Sequence, residues 1–357
     1  MKLYQRYLLS PLKLLLPLIL TALGGIYFLV EFFERLEDIL AARAPVGLFL
    51  VYLLYRLPEI LYQIWPPSLA LALLSCLAFV SRGNELLALR TLGFSSGKIL
   101  RPYLGVALLL SFLFSAFLAL TLPRASYQAL YTWEVRIKGE QPWRLLASGK
   151  MFFIGPDFLL SARPLEPRGE LLEDLFYIRR DRAGPRAYVY ARRARYLKKG
   201  RWLLEGGVEA KRQEDFLPHT FSRRIYAISF SPQVLLSVQQ PLNTLSLRDL
   251  WRRYRFLKAS GLSASLPLTE ILYRLLFPFI SLLVAAPALV LFLTFRGKRA
   301  LAKGLSAGIL AVILSYTWFM VLKALAAGGK GSPFLLLPAG LVFPAIFAIL
   351  VARKYAY

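Results

Sequence analysis

Six stretches without a charged side chain divide this 357-residue sequence: 14–30, 60–81, 102–123, 275–295, 304–322 and 331–352. Crossing a bilayer takes roughly 20 consecutive apolar residues, because every backbone amide in hydrocarbon must be satisfied within its own helix. The first stretch has 17 residues and ends at Glu31 and Glu34; the other five have 19 to 22. A composition that is 57% hydrophobic and 14% aromatic fits this reading and excludes an ordinary water-soluble domain. A seventh run, 44–55, has only 12 uncharged residues before Arg56, Pro58 and Glu59, so it is expected to extend the second helix at the interface rather than to span. The expected class is therefore an α-helical membrane protein with six transmembrane helices.

Lysine and arginine in the short connections set the orientation. With the amino terminus in the cytoplasm, the inner side carries thirteen basic residues: Lys2, Arg6, Lys13, Arg82, Arg90, Lys98, Arg101, Arg296, Lys298, Arg299, Lys303, Arg353 and Lys354. The short outer connections hold five, Arg35, Arg43, Arg56, Lys323 and Lys330, the first offset by Glu31, Glu34, Glu37 and Asp38. Both termini are expected to be cytoplasmic. Residues 124–274 carry 27 basic and 14 acidic side chains on the outer side, which the rule permits because long domains translocate regardless of charge. The amino terminus has the basic start of a signal peptide but no small-residue cleavage site before Glu31, so it reads as a retained helix.

The texture changes between the third and fourth stretches. Short apolar runs at 151–154, 158–160, 175–178, 188–191, 202–204 and 225–230 read as strands. Turn residues separate them at Gly155-Pro156-Asp157, Gly184-Pro185, Lys199-Gly200 and Gly206-Gly207. An antiparallel sandwich or jelly roll is the expected architecture. The predicted organisation is thus 1–123 for the first three spans, 124–246 for an inserted periplasmic β-domain, and 247–357 for an interfacial helix and the last three spans. That helix is signalled by Leu247, Leu250, Trp251, Tyr254 and Leu257 at spacings of three and four, with Arg252, Arg253 and Arg255 beside the aromatic pair. An ordinary surface helix would have the same pattern.

The segment between the second and third stretches, SRGNELLALRTLGFSSGKILRP over 81–102, has clear local physics. Asn84 is a good helix cap, Glu85 sits in the first turn where the helix dipole favours a carboxylate, and Gly93 can take the left-handed conformation that ends a helix. Ser95 can cap the next helix. The result is a short cytoplasmic helix near 84–93, of the kind an ABC permease inserts into its ATPase; an interfacial linker is the plainer alternative.

NELLALRTLGFS closely resembles the coupling segment of the lipopolysaccharide-export permease family LptF/LptG. RYLLSPLKLLLPLIL at the start, YRLPEILYQIWPPSLALALL in the second span and SLRDLWRRYRFLKASGLSASLPLTEILYRLLFPF leading into the fourth are similar to the same family. So is DLFYIRRDRAGPRAYVYARRARYLKKGRWLLEGG in the insert. The resemblance implies a permease that pairs with a second LptF/LptG-type subunit around a lipid cavity and is driven by a cytoplasmic LptB-like ATPase dimer. It also implies a periplasmic jelly roll that stacks on LptC/LptA-like proteins, with lipopolysaccharide or a related glycolipid as cargo. Glu85, supported by Leu86, Leu89 and Gly93, is then the expected ATPase contact; dipole stabilisation alone is the alternative. Arg35 and Arg43, just beyond the first span, are expected to meet lipid phosphates, for which the planar guanidinium fork is suited. Solvated loop charges are the alternative there.

Other classes find little support. The sole Cys76 rules out a disulfide framework and a cysteine metal site, His219 lacks a carboxylate and cysteine partner set, and no cofactor or metal is expected. GFSSGKI, 93–99, has too few residues between its glycines and no Ser or Thr after Lys98, so it is not a phosphate loop and ATP hydrolysis is expected from a partner chain. The basic run Arg192, Arg193, Arg195, Lys198, Lys199 and Arg201 reads as a solvated sheet face, not as a nucleic-acid site. A lipid-modifying membrane enzyme would want ionisable residues converging inside the membrane. A lipoprotein or mechanotransmission permease would typically have four spans.

Overall fold

The computed structural model describes residues 3–83, 85–139, 151–154, 158–165, 170–181, 184–198, 200–228, 240–259, 263–295 and 299–354. The Asn84 cap, the Gly155-Pro156-Asp157 turn, the end of the last expected strand and the break at Gly261 lie outside them. Nine α-helices are described: α1 Leu3–Leu8, α2 Leu12–Ala42, α3 Val46–Arg82, α4 Glu85–Thr91, α5 Ser96–Tyr131, α6 Leu247–Ala259, α7 Ser265–Thr294, α8 Ala300–Ala327 and α9 Pro333–Lys354. Six of these, α2, α3, α5, α7, α8 and α9, belong to segments long and apolar enough to cross a membrane. The run at 44–55 is continuous with the second span from Val46 onward, within α3.

The chain divides into two compact units, one of residues 1–37, 56–122 and 269–357 and the other of residues 38–55 and 123–268. The first is a helical body. Its core gathers Leu69, Leu73 and Leu77 of α3, Tyr103 of α5, Phe277 and Leu289 of α7 and Phe319 of α8. In lipid such helices gain little from apolar burial itself, so close approach of backbones matters more. A Gly-x-x-x-Gly pair on α8 provides it: a Cβ on Gly304 would lie 2.8 Å from the Phe292 ring of α7, and one on Gly308 would lie 2.7 Å from the Leu74 side chain of α3.

Breaks in the helices leave carbonyls that the body then satisfies. Between α1 and α2, Leu8 lacks a helical partner, and its carbonyl accepts from Tyr103 Oη at 3.1 Å and from Cys76 Sγ at 3.1 Å. In α3, Pro67 has no N–H to offer the Gln63 carbonyl four residues earlier. Tyr316 Oη of α8 donates to that carbonyl at 2.6 Å, while Tyr27 Oη of α2 donates to the Gln63 side chain at 3.0 Å. Cys76 thus has a packing and hydrogen-bonding place in the core.

The second unit holds the insert, a six-stranded antiparallel sheet in the order β1 to β6: Met151–Ile154, Phe158–Pro164, Leu171–Asp181, Gly184–Lys198, Arg201–Lys211 and His219–Ala227. The all-β insert between the third and fourth spans is therefore present. Among the described residues its strands pair consecutively, as a meander. One face buries Leu160, Leu172, Leu175, Val189, Ala191, Trp202 and Leu204.

The strands are longer than their apolar runs, and Gly206-Gly207, expected to turn the chain, lies inside β5. The reason is a bend across the sheet. Asp174 (φ 51°), Arg192 and Gly206 (φ 60°) fall opposite one another by register, between the pairs Glu173–Arg193 and Leu175–Ala191 on one side and Arg193–Glu205 and Ala191–Gly207 on the other. At this line burial skips a residue in all three strands: Leu172 to Leu175, Ala191 to Ala194, Leu204 to Gly207. A left-handed residue inside a strand bends it and shifts the inward-facing set. Gly207 is also where backbones crowd, since a Cβ there would lie 2.2 Å from the Tyr190 carbonyl and 2.5 Å from the Phe221 ring. Gly207→Ala should force β4 and β5 apart at a cost of about 1–3 kcal/mol. Limited proteolysis of the detergent-purified chain would show faster cleavage within 184–227, and unchanged cleavage would mean that the sheet absorbs the methyl group.

Candidate functional site

The turn between the second and third spans forms the short helix α4, and its local chemistry explains where it stops. Gly93 takes φ 80°, its N–H donates to the Arg90 carbonyl at 3.0 Å, and the Phe94 N–H reaches back to Leu89 at 3.0 Å, closing the last turn. Ser95 then caps α5, its Oγ accepting from the Lys98 N–H at 3.4 Å. Leu86 is buried and Leu89 half-buried against the helical core, so one face of α4 is anchored. Arg90 fastens the other end by donating to the Leu293 carbonyl at the end of α7, 2.8 Å away.

Glu85 opens this helix, half-exposed, with Oε1 accepting from Tyr7 Oη at 2.5 Å. The ring of Tyr4 meets Phe94 edge-on at 5.2 Å. Helix α1 therefore lies along the turn and touches it at both ends, a contact that the sequence did not announce. Glu85, Leu86, Leu89 and Gly93 are brought together on one short element, two of them inward and two at the surface.

Charge converges at one end of the helical body. On α2, Arg35 Nε lies 3.2 Å from Glu31 Oε1, one helical turn apart. Arg56 of α3 lies 3.6 Å from the same carboxylate oxygen and 2.5 Å from Glu59. Glu31 is only 5% exposed and so depends on these partners. A second cluster gathers around Glu270 of α7. Arg274 Nε is 2.9 Å from Oε1, Tyr62 Oη of α3 donates to the same oxygen at 3.3 Å, and Lys323 Nζ of α8 lies 3.6 Å from Oε2. The Lys323 ammonium also stands 3.4 Å above the centroid of the Tyr273 ring. The first cluster is neutral by formal charge, whereas two cations share one carboxylate in the second.

These residues sit just beyond the uncharged stretches, those of the first cluster within α2 and α3 and those of the second near the start of α7 and the end of α8. The sequence reading counted them as loop or flanking charges and did not foresee their convergence. The available signal was the Glu270 to Arg274 spacing of four within a helix that starts at Ser265.

Below the first cluster, an apolar cavity of about 520 Å³ opens between α2, α3 and α8, lined by Leu23, Ile26 and Val30, by Ile64 and Pro67, and by Ile309 and Ile313. The Tyr27 and Tyr316 hydroxyls that hold Gln63 belong to the same wall. Among the described residues no group of three His, Cys, Asp or Glu could hold a metal ion. Of the two arginines expected to meet lipid, Arg35 is engaged with Glu31, while Arg43 is exposed just past the end of α2, in left-handed backbone at φ 49°. They lie in different compact units.

Six helices long and apolar enough to cross a membrane, with an all-β insert between the third and fourth, define the class as a multi-pass membrane protein. The lipopolysaccharide export system permease LptF/LptG family model matches residues 6–354, and the chain belongs to that family. No curated protein matches it at a significant level.

Proposed function

We propose that this chain is one permease subunit of an ABC exporter that extracts lipopolysaccharide, or a related glycolipid, from the inner membrane and passes it to a periplasmic jelly-roll bridge. The observation that carries this reading is the family match over nearly the whole chain, on a topology with a short acid-bearing helix between its second and third spans. A separate LptB-like ATPase pair hydrolyses ATP and docks on α4, with Glu85 as the principal contact and Leu86, Leu89 and Gly93 holding its geometry. A second LptF/LptG-type subunit completes the lipid cavity, and LptC/LptA-like jelly rolls receive the lipid. Both termini face the cytoplasm and the insert faces the periplasm, a reading that the thirteen to five distribution of basic residues supports. In this arrangement the organisation is 1–123, 124–246 and 247–357, and both charged clusters lie at the outer-leaflet end.

Arg35 and Arg43 are the proposed first contacts for lipid phosphates, with Lys323 supplying the surplus positive charge of the Glu270 cluster. Arg35 must exchange Glu31 for phosphate, while Arg43 is already exposed. The test is co-purification with the ATPase and mass spectrometry of bound lipid, repeated with Arg35→Ala/Arg43→Ala. Binding of the phosphorylated lipid should fall about tenfold, equivalent to about 1.4 kcal/mol, with little change for the dephosphorylated lipid. Full retention of phosphate-dependent binding would remove the two arginines from the mechanism, and recovery without any ATPase or lipid would count against the function itself.

A further inference from the structure

Helix α6 presents two different faces. Ser246 caps it, its hydroxyl donating to Asp249 at 2.5 Å and accepting from the Asp249 N–H at 3.3 Å. Leu250, Arg253 and Leu257 are buried, and Phe256 packs on the hydrophobic core of the β-sheet. The sequence groups Arg253 with Arg252 and Arg255 beside the aromatic pair. Arg253 is instead turned inward at 8% exposure, its Nη1 donating to the Gln240 carbonyl at 2.8 Å, and burial pulls its pKa below the usual guanidinium value. Its place in the register makes it an anchor for the helix.

The opposite face is a continuous exposed stripe of Arg248, Trp251, Arg252, Arg255 and Lys258, spaced three and four apart. Asp249, at its edge and already hydrogen-bonded to Ser246, lies 3.5 Å from Arg252, and among the described residues it is the acid that pairs with this stripe. Trp251 is 46% exposed in the middle of the cations and meets the Tyr254 ring at a tilt, centroids 5.3 Å apart. A solvated helix face has no need of an exposed indole, whereas the bilayer interface favours an aromatic ring flanked by long cationic side chains. Only residues 260–264 separate α6 from the membrane-spanning helix α7, so at most about 20 Å of extended chain lies between them.

We infer that this stripe is a docking surface for the headgroups of anionic glycerophospholipids in the bilayer that holds the chain, with the four cations on phosphate and Trp251 inserted at the level of the glycerol. The charge complementarity of four basic side chains against one engaged acid selects an anionic lipid over a zwitterionic one. The surface serves as an electrostatic foot that holds the inserted domain to the membrane. It depends only on the chain spanning a bilayer, and not on which lipid is exported.

The full-length protein in nanodiscs tests this. Trp251 fluorescence, taken as the difference between wild type and Trp251→Phe, is measured with brominated phosphatidylglycerol or brominated phosphatidylcholine at equal mole fraction. The anionic lipid should quench at least about twofold more. That preference should vanish at about 1 M salt, where the screening length falls to about 3 Å. It should also vanish when Arg248, Arg252, Arg255 and Lys258 are all changed to Gln, exposed substitutions that leave the buried anchor intact. Equal quenching by both lipids, or none, would overturn the proposal, as would quenching that only lipopolysaccharide elicits.

Discussion

Glu85→Lys is expected to abolish export and to strip the ATPase from the purified permease. Its carboxylate stands in the first turn of a helix fixed on both sides, by Leu86 and Leu89 below and by the Arg90 bond to the Leu293 carbonyl behind. A partner that docks there meets a charge on a rigid element, and reversing that charge sets like against like at the contact. Within the subunit the cost is small. The helix dipole contributes about 0.3–1 kcal/mol, and the hydrogen bond from Tyr7 lies at the surface. The prediction therefore separates the two readings of the residue. Loss of the ATPase with normal yield and thermal stability identifies a docking residue, whereas a small loss of stability with intact assembly would identify a helix-dipole residue only. Tyr7→Phe is the control: it removes the hydroxyl that holds Glu85 and keeps its charge.

The second large effect concerns folding. Glu270→Ala should destabilise the helical body by about 3–5 kcal/mol, because it withdraws the one carboxylate that Arg274, Lys323 and Tyr62 share and leaves buried positive charge behind. Thermal unfolding of the detergent-purified chain, read with size-exclusion chromatography, measures it. Replacing the three charges together, Glu270→Met with Arg274→Met and Lys323→Met, should recover much of the loss, since a desolvated ionic cluster exchanged for apolar side chains of similar bulk costs little. If Glu270→Ala melts like the wild type, the carboxylate is dispensable to the fold.

How much of this was legible beforehand differs from element to element. The spans could be read because a missing charge over twenty residues is a property of the local chain, and α2, α3, α5, α7, α8 and α9 contain the six stretches. The ends of α4 were equally local: Gly93 and Ser95 act on backbone groups within four residues. The strands were placed correctly in order but drawn too short, since the bend through Asp174, Arg192 and Gly206 interrupts the period-two pattern in three strands at one line. Gly206-Gly207 looked like a turn for the same reason. In isolation a glycine pair signals reversal, and only the approach of the Tyr190 carbonyl shows that it serves close packing. Arg253 and Trp251 were read as one group, yet two positions along a helix is most of the way to its opposite side.

The solvent each residue prefers is additive along a chain, so the amino-acid sequence alone determined six segments able to cross a membrane and a β-rich insert, and its motifs, not its composition, carried the resemblance to the LptF/LptG permeases. Which charges meet is a different kind of fact. Tyr62 and Glu270 lie 208 residues apart, Tyr316 and the Gln63 carbonyl 253 apart, and Tyr7 and Glu85 78 apart. Such pairs depend on how helices pack side by side, a distance that no pattern of neighbouring residues encodes, and the tertiary structure alone decided them.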